Sequence, residues 1–268
     1  MPQHQVYTHG HHESVRRSHE WRTAANSAAY LTDRLRPGAS LLDVGCGSGT
    51  ITADLAALVA PGTVTAIDAS ADILEAAERV AAGRGLTNLR FEVADVHALP
   101  YADDAFAVVH AHQVLQHLAD PVAALREMRR VVAADGVVAA RDADYAAMTW
   151  HPDVPELDEW LALYHRVATH NRGEPDAGRR LQVWARAAGF TDVACTASAW
   201  CYASPDDRAR WSGTWAERVT RSAFAEQAVG YGYATAADLD RIAAGWRVWG
   251  AEPDGWFGVL HGEVLCRG

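Results

Sequence analysis

Lysine is absent from all 268 residues, so each of the 24 basic side chains is an arginine. That absence excludes a lysine Schiff base with a carbonyl substrate or pyridoxal phosphate, a Walker A phosphate lysine and the lysine of a kinase nucleotide site. Cysteine is scarce. The four residues Cys46, Cys195, Cys201 and Cys266 form no Cys-x-x-Cys pair and no zinc spacing, which makes reduced thiols in a cytoplasmic protein the expectation. No stretch approaches ~18 uninterrupted apolar residues, and the polar, histidine-rich start has no signal-peptide core, so no membrane partner is expected. Positive charge is also short, since 34 acidic against 24 basic residues give a net charge of −10. Phosphate binding needs a basic face, so nucleic acid is not an expected partner.

Tryptophan is nearly missing from the first half. Only Trp21 precedes Trp150, and the other nine of the ten lie from there on. What fills the first half instead is an alternation of short β-branched runs and alanine-rich helical stretches, the pattern of βαβ units. Ser40–Val44 reads as a buried strand, followed by a glycine-rich turn and a helix over Thr50–Val59 that Pro61-Gly62 stops. Val64–Asp68 is a second strand, Ser70 an N-cap for a helix over Ala71–Ala82, Leu89–Ala94 a third strand and Phe106–Ala111 a fourth. Asp120-Pro121 opens a helix in which Val122, Leu125, Met128 and Val132 recur at helical spacing. Asp135-Gly136 turns the chain into a fifth strand, Val137–Arg141. Beyond it, helices are expected over Pro155–His170 and Ala177–Ala188, strands over Phe190–Trp200 and Val259–Arg267, and two or three inserted helices over Ser204–Gly250. The expected fold is α/β, a Rossmann-like doubly wound seven-stranded sheet under a helical cap. Residues 1–36 would form a lid, 37–145 the ligand-binding core, and 146–268 the rest of the sheet with an acceptor-binding cap.

The most specific signal is Leu41-Leu42-Asp43-Val44-Gly45-Cys46-Gly47-Ser48-Gly49-Thr50. Its glycines allow a tight strand-to-helix turn and close approach of a ligand to the backbone, while the helix behind presents free amides. Asp68 at the end of the second strand is placed for the two ribose hydroxyls of a nucleoside. Asp95-Val96 ends the third strand, where a carboxylate and a backbone amide can read an adenine edge. His110-Ala111-His112 ends the fourth, beside the reactive end of the ligand. A nicotinamide-dependent Rossmann oxidoreductase is the competing reading, but its Gly-x-Gly-x-x-Gly fingerprint requires a third glycine where Thr50 stands. A non-catalytic protein that kept the cofactor fold is the other alternative.

The segments DVGCGSGTIT (Asp43–Thr52), AIDAS (Ala66–Ser70), EVADVHALPYADDAF (Glu92–Phe106) and HQVLQHLADP (His112–Pro121) resemble class I S-adenosylmethionine-dependent methyltransferases, in particular the ubiquinone/menaquinone-biosynthesis-type small-molecule enzymes. The stretch Tyr7–Leu31 resembles the opening of a subset of them. The resemblance implies S-adenosyl-L-methionine as cofactor, with Asp43, Gly45, Gly47 and Gly49 bordering its methionine moiety, Asp68 its ribose, and Asp95 with Val96 its adenine, and with Cys46 and Ala69 among the cofactor-binding residues. His110 is a further cofactor candidate. Ala107 departs from the pattern, since many relatives carry an aspartate there. The N-terminal helix of such enzymes folds over the cofactor, which makes Tyr7, His11, His12, Trp21 and Arg22 site candidates. Arg22 or Arg16 would be a bidentate partner for the cofactor carboxylate.

His112 is the preferred general base, since an unperturbed imidazole titrates near working pH. His110, Tyr7 and His11 are further catalytic candidates. The histidines His4, His9, His11, His12 and His19 match no standard metal site, and no metal is expected. Tyr145, Trp150, Trp215, Tyr231 and Tyr233, in the loop after the fifth strand and in the cap, are candidates to hold the acceptor. The acceptor is expected to be a small aromatic molecule, indole-like or polyketide-like, from secondary metabolism, and the protein a monomer or homodimer.

Overall fold

The computed structural model describes Thr8 and residues 21–268. Tyr7, His11, His12 and Arg16 therefore lie outside the described residues. A single sheet organises the rest, with β1 (Leu41–Val44), β2 (Val64–Asp68), β3 (Leu89–Val93), β4 (Phe106–His112) and β5 (Val132–Ala143) parallel in the order β3-β2-β1-β4-β5. Strand β8 (Trp256–Arg267) runs antiparallel beside β5, and β7 (Asp192–Tyr202) runs antiparallel beside β8. To these seven a short β6 (Thr149–His151) adds an eighth, pairing with β8 past the end of β5. Strands β1, β2 and β4 are buried on both faces, which is why they read as continuous apolar runs. Between β1 and β4 the strand order reverses, and such a reversal opens a crevice above the carboxyl ends of the two strands.

Helices cover both faces. On one, α1 (Ala24–Ser27), α2 (Ala29–Thr32) and α3 (Thr50–Val59) pack Ala28, Leu31, Leu55 and Val59 onto Leu41, Val64 and Val108. On the other, α5 (Pro121–Val131) and α7 (Leu181–Ala187) pack Leu125, Met128 and Leu181 onto Leu42, Val109 and Val138. Helix α4 (Ala71–Gly83) follows β2. The Asp120 side chain caps α5 by accepting from Ala123 N–H at 2.9 Å. Ser70 sits at the N-cap of α4, yet its hydroxyl makes no cap bond, and its N–H donates instead to Asp68.

Two boundaries differ from the sequence reading. Asp135-Gly136 does not turn into a new strand but forms an irregularity within β5, whose register passes from Phe106 opposite Val132 to Val108 opposite Val137. The helix expected over Ala177–Ala188 divides into a 3-10 turn, Ala177–Arg180, and α7. The cap comprises α6 (Pro155–His170), α8 (Pro205–Arg221), α9 (Ala223–Gly230) and α10 (Ala236–Ala251). Trp160, Trp215, Trp246 and Trp249 are its buried centre. Trp160 meets Trp215 edge-on at 4.4 Å and Trp246 at 4.8 Å between centroids, a geometry that adds ~1 kcal/mol per pair beyond area burial. Among the described residues no helix is long and apolar enough to cross a membrane.

Candidate active site

The turn from β1 into α3 is built on glycine. Gly45 and Gly49 lie at φ 65° and 76°, in the left-handed region. A Cβ on Gly45 would stand 2.4 Å from Val114 Cγ2, so the loop after β4 packs directly on the glycine turn. Gly49 caps α3 without any side chain, which leaves the helix N-terminus facing the loop. Below the turn, Asp43 is buried with both oxygens engaged. Oδ1 meets His110 Nδ1 at 2.7 Å and Oδ2 accepts from Thr52 Oγ1 at 2.6 Å. A carboxylate acceptor places the His110 proton on Nδ1, so this pair braces the turn from within the sheet.

Asp68 stands at the mouth of the crevice, half-buried, accepting from Gly47 N–H and Ser70 N–H at 3.1 Å each. The two bonds fix its carboxylate beside the glycine turn, with Ala69 exposed next to it. Asp95 is exposed, and the backbone N–H of His97, then its ring, hold the carboxyl below the usual range. Val96 beside it is buried. Burial and the charges of Asp43 and Asp68 push the Cys46 thiol far above its ordinary value, which removes it as a nucleophile. A turn with left-handed glycines leading into a helix N-terminus and a carboxylate aligned at the next strand end fit a nucleoside bearing an amino-acid tail.

On the sheet face under α1, a buried polar row crosses β4, β5, β7 and β8. Arg141 on β5 lies opposite Glu263 on β8 and bonds it at 3.2 Å, and its guanidinium also meets Ser198 Oγ and the Trp200 ring at 4.8 Å. His112 and His261 stack at 6.3 Å beside this pair. Both His112 ring nitrogens are buried with no hydrogen-bond partner among the described residues. Arg22 donates to Gln113 Oε1 at 2.8 Å and lies over Trp200 at 5.2 Å. Burial, then Arg22 and Arg141, push His112 well below its ordinary pKa, and burial with Arg141 and Arg22 does the same to His261. Burial, Arg22 and Arg218 bring His117 down to about 3.

These shifts set an acid limit. An imidazole held neutral in the fold takes up its proton on unfolding, so stability present above ~6.5 is lost as the pH falls below it, by ~1.4 kcal/mol per pH unit for each group. Asp142 opposes this. Burial raises its carboxyl to about 7, so its cost grows as pH rises from ~4 to 7. Three imidazoles against one carboxyl leave a net loss of ~3 kcal/mol per pH unit on acidification. The urea midpoint is expected to drop steeply between pH 6.5 and 5, and a flat profile would show that the imidazoles are not held neutral.

The acceptor candidates divide. Tyr145 and Trp215 come together in the buried cap: Tyr145 stacks on Tyr164 at 4.0 Å, and Arg218 lies over Trp215 at 4.6 Å. Burial raises the Tyr145 hydroxyl above its ordinary value, and the bond to Tyr164 and the charges of Arg218 and Arg22 only partly offset it. Tyr231 and Tyr233 gather elsewhere, around His170 at the end of α6, with Tyr231 stacked on it at 3.8 Å and the Tyr233 hydroxyl 3.0 Å from its Nδ1. Asn171 beside them donates to Thr8 Oγ1 at 3.0 Å. Trp150 stacks on Phe257 at 5.5 Å. The sequence reading did not pick out Gln113, Arg141, Asp142, Arg218 or His261. For Arg218 a signal existed, since it follows Trp211 and Trp215 along the buried stripe of α8, where an arginine is out of place.

Residues 35–202 match the family described as a methyltransferase domain. The chain belongs to that family. The methyltransferase is 31% identical to an uncharacterized methyltransferase of Schizosaccharomyces pombe over 97% of this chain and 96% of that one. It is 33% identical over 133 residues to the demethylmenaquinone methyltransferase of Staphylococcus aureus, covering 49% of this chain and 52% of the other. Its fold matches that of Haemonchus contortus phosphoethanolamine N-methyltransferase 2, solved with phosphomonomethylethanolamine and S-adenosylhomocysteine. There the TM-score is 0.57 and the identity 15%, over 94% of this chain and 58% of that one. Membership of the methyltransferase family makes S-adenosyl-L-methionine its cofactor, and the dinucleotide reading is not favoured.

Proposed function

We propose that the methyltransferase methylates a small aromatic natural product, indole-like or polyketide-like, seated between the loop after β4 and the tryptophan-rich cap. The observation that carries this reading is the aromatic cluster that follows the end of β5, in which Tyr145 stacks on Tyr164 at 4.0 Å, Tyr164 meets Trp215 edge-on at 6.0 Å and the Arg218 guanidinium lies over Trp215 at 4.6 Å. Flat aromatic surfaces with cationic edges suit a planar, electron-rich acceptor. Tyr145 and Trp215 would line its site. Trp150, Tyr231 and Tyr233 would act further out, through the packing of the cap.

S-adenosyl-L-methionine, when bound, supplies an electrophilic methyl group on a sulfonium. Gly45, Gly47 and Gly49 would border its methionine moiety over the Asp43–His110 brace, Asp68 would hold the ribose, and Asp95 with Val96 the adenine. Arg22 would meet the carboxylate of the methionine moiety, since the guanidinium is held at the end of β4 by Gln113, whose neighbour Val114 packs on Gly45. His112 would receive the acceptor's proton. Its burial keeps it neutral, the form a base requires, and makes it a weak base. A weak base suffices, because an alkylated oxygen, nitrogen or arene carbon gives up its proton readily.

The decisive experiment measures S-adenosylhomocysteine formation over a panel of indoles, phenols and quinone precursors. Turnover with one class is the expected result, and cofactor binding without turnover on any of them would favour a silent binder. On the best acceptor, His112→Ala is expected to keep S-adenosylhomocysteine affinity within about twofold and lose ~100-fold or more in kcat, within the range for general-base removal. Unchanged kcat would remove His112 from the reaction.

A further inference from the structure

Gln113 follows β4 directly and lies at φ 53°, one of three residues other than glycine with positive φ among the described residues. Glutamine seldom adopts this backbone, and such a conformation persists where its surroundings over-determine it. Three contacts do so here. Its N–H donates to the Arg141 carbonyl at 2.7 Å, its side chain meets Arg22 Nη2 at 2.8 Å, and the other end of the same amide meets His261 Nε2 at 2.9 Å.

The chemistry of the partners fixes where the protons are. Arginine only donates, so the amide oxygen faces Arg22 and the amide nitrogen faces His261. His261 Nε2 must then accept, which puts its proton on Nδ1, and Nδ1 lies 3.1 Å from the Val259 carbonyl. The result is a line of hydrogen bonds with one polarity, from Arg22 through Gln113 and His261 to the backbone of β8. Were Nε2 protonated, two donors would face each other, and the amide would turn its nitrogen toward Arg22.

We infer that Gln113 is a positioning residue of the methyl-transfer site: the neutral Nδ1–H form of His261 sets the orientation of its amide, and the amide holds Arg22 where it receives the cofactor carboxylate. This rests on the reading of Arg22 given above. Three variants of the full chain separate the two claims, titrated calorimetrically with S-adenosylhomocysteine and with S-adenosyl-3-thiopropylamine, which lacks only the carboxylate. Arg22→Met and Gln113→Met should each weaken S-adenosylhomocysteine about tenfold or more and leave the amine analogue within about twofold. Gln113→Asn accepts the same backbone but is too short to span both partners, and it serves where the methionine variant does not fold.

Histidine side-chain nitrogen spectra supply a readout that a purely structural role would not move. The unsubstituted protein should show His261 protonated at Nδ1 alone, and Gln113→Glu should bring a proton onto Nε2, because a carboxylate there offers only acceptors. Should Arg22→Met lose affinity while Gln113→Met and Gln113→Asn keep it, the positioning role is overturned and the Arg22 reading stands. Should Arg22→Met bind both ligands as before, both fall. Nε2–H in the unsubstituted protein overturns the inferred relay directly.

Discussion

Asp68→Ala is expected to lower S-adenosylhomocysteine affinity by ~100-fold or more, the largest effect of any single side chain on cofactor binding. A carboxylate accepting from two ribose hydroxyls makes two charge-assisted hydrogen bonds, each worth ~1.5–3 kcal/mol. Asp68 is also pre-aligned, since Gly47 N–H and Ser70 N–H hold its two oxygens in place without a ligand. Little reorganisation is then left to oppose binding. Asp68→Asn keeps one acceptor in the same position and should fall between the two. Isothermal titration checks this, and a loss below tenfold for the alanine variant would mean that the ribose is held elsewhere.

Gly262→Ala is expected to destabilise the fold by ~3 kcal/mol or more, the scale of a severe overpacking, and Gly262→Val to prevent folding. The cause is backbone against backbone. Where the 3-10 turn Ala177–Arg180 crosses β8, a Cβ on Gly262 would stand 2.0 Å from the Gly178 carbonyl oxygen and 2.5 Å from its carbon. No flexible side chain is there to swing aside, and the facing Gly178 has no room either, since a Cβ on it would stand 2.8 Å from Gly262 N and 2.9 Å from the Asp142 carbonyl oxygen. Gly213 is the control. It lies inside α8 with nothing within 4 Å of an added Cβ, so Gly213→Ala should stabilise by ~0.5–1 kcal/mol. Urea midpoints of the two alanine variants should move in opposite directions, and an unchanged midpoint for Gly262→Ala would mean that the crossing can open without cost.

The cofactor half was legible because its signals are local. A glycine turn between an apolar run and a helix, Asp120-Pro121 at a helix start, and acidic residues closing successive strands each depend on residues a few positions apart. The Asp135-Gly136 reading failed for the same reason. The pair has the composition of a turn, but β5 pairs with β4 on both sides of it, at Val132 and again from Val137, and absorbs it as an irregularity. The tryptophans of the second half were legible as a class and not one by one. Trp215 and Trp246 occur in different helices of the cap, and only packing decides that they stack at 5.8 Å in the same buried centre.

His112 shows the limit most directly. The sequence placed it at the end of a strand, where an imidazole near its ordinary pKa would serve as a base. The fold surrounds it with Arg22, Arg141 and His261 and removes it from water, so that it remains neutral well below that value. By itself, then, the sequence determined the sheet, the cofactor and the glycine turn at the end of β1. Tertiary structure decided the charge state and neighbours of the polar groups on the sheet face under α1, because Arg22 and Gln113 are 91 residues apart, Arg141 and Glu263 122, and Gln113 and His261 148. Periodicity and spacing report which elements form. Contacts at such separations exist only once the sheet is closed by β8 and covered by the segment that carries Arg22.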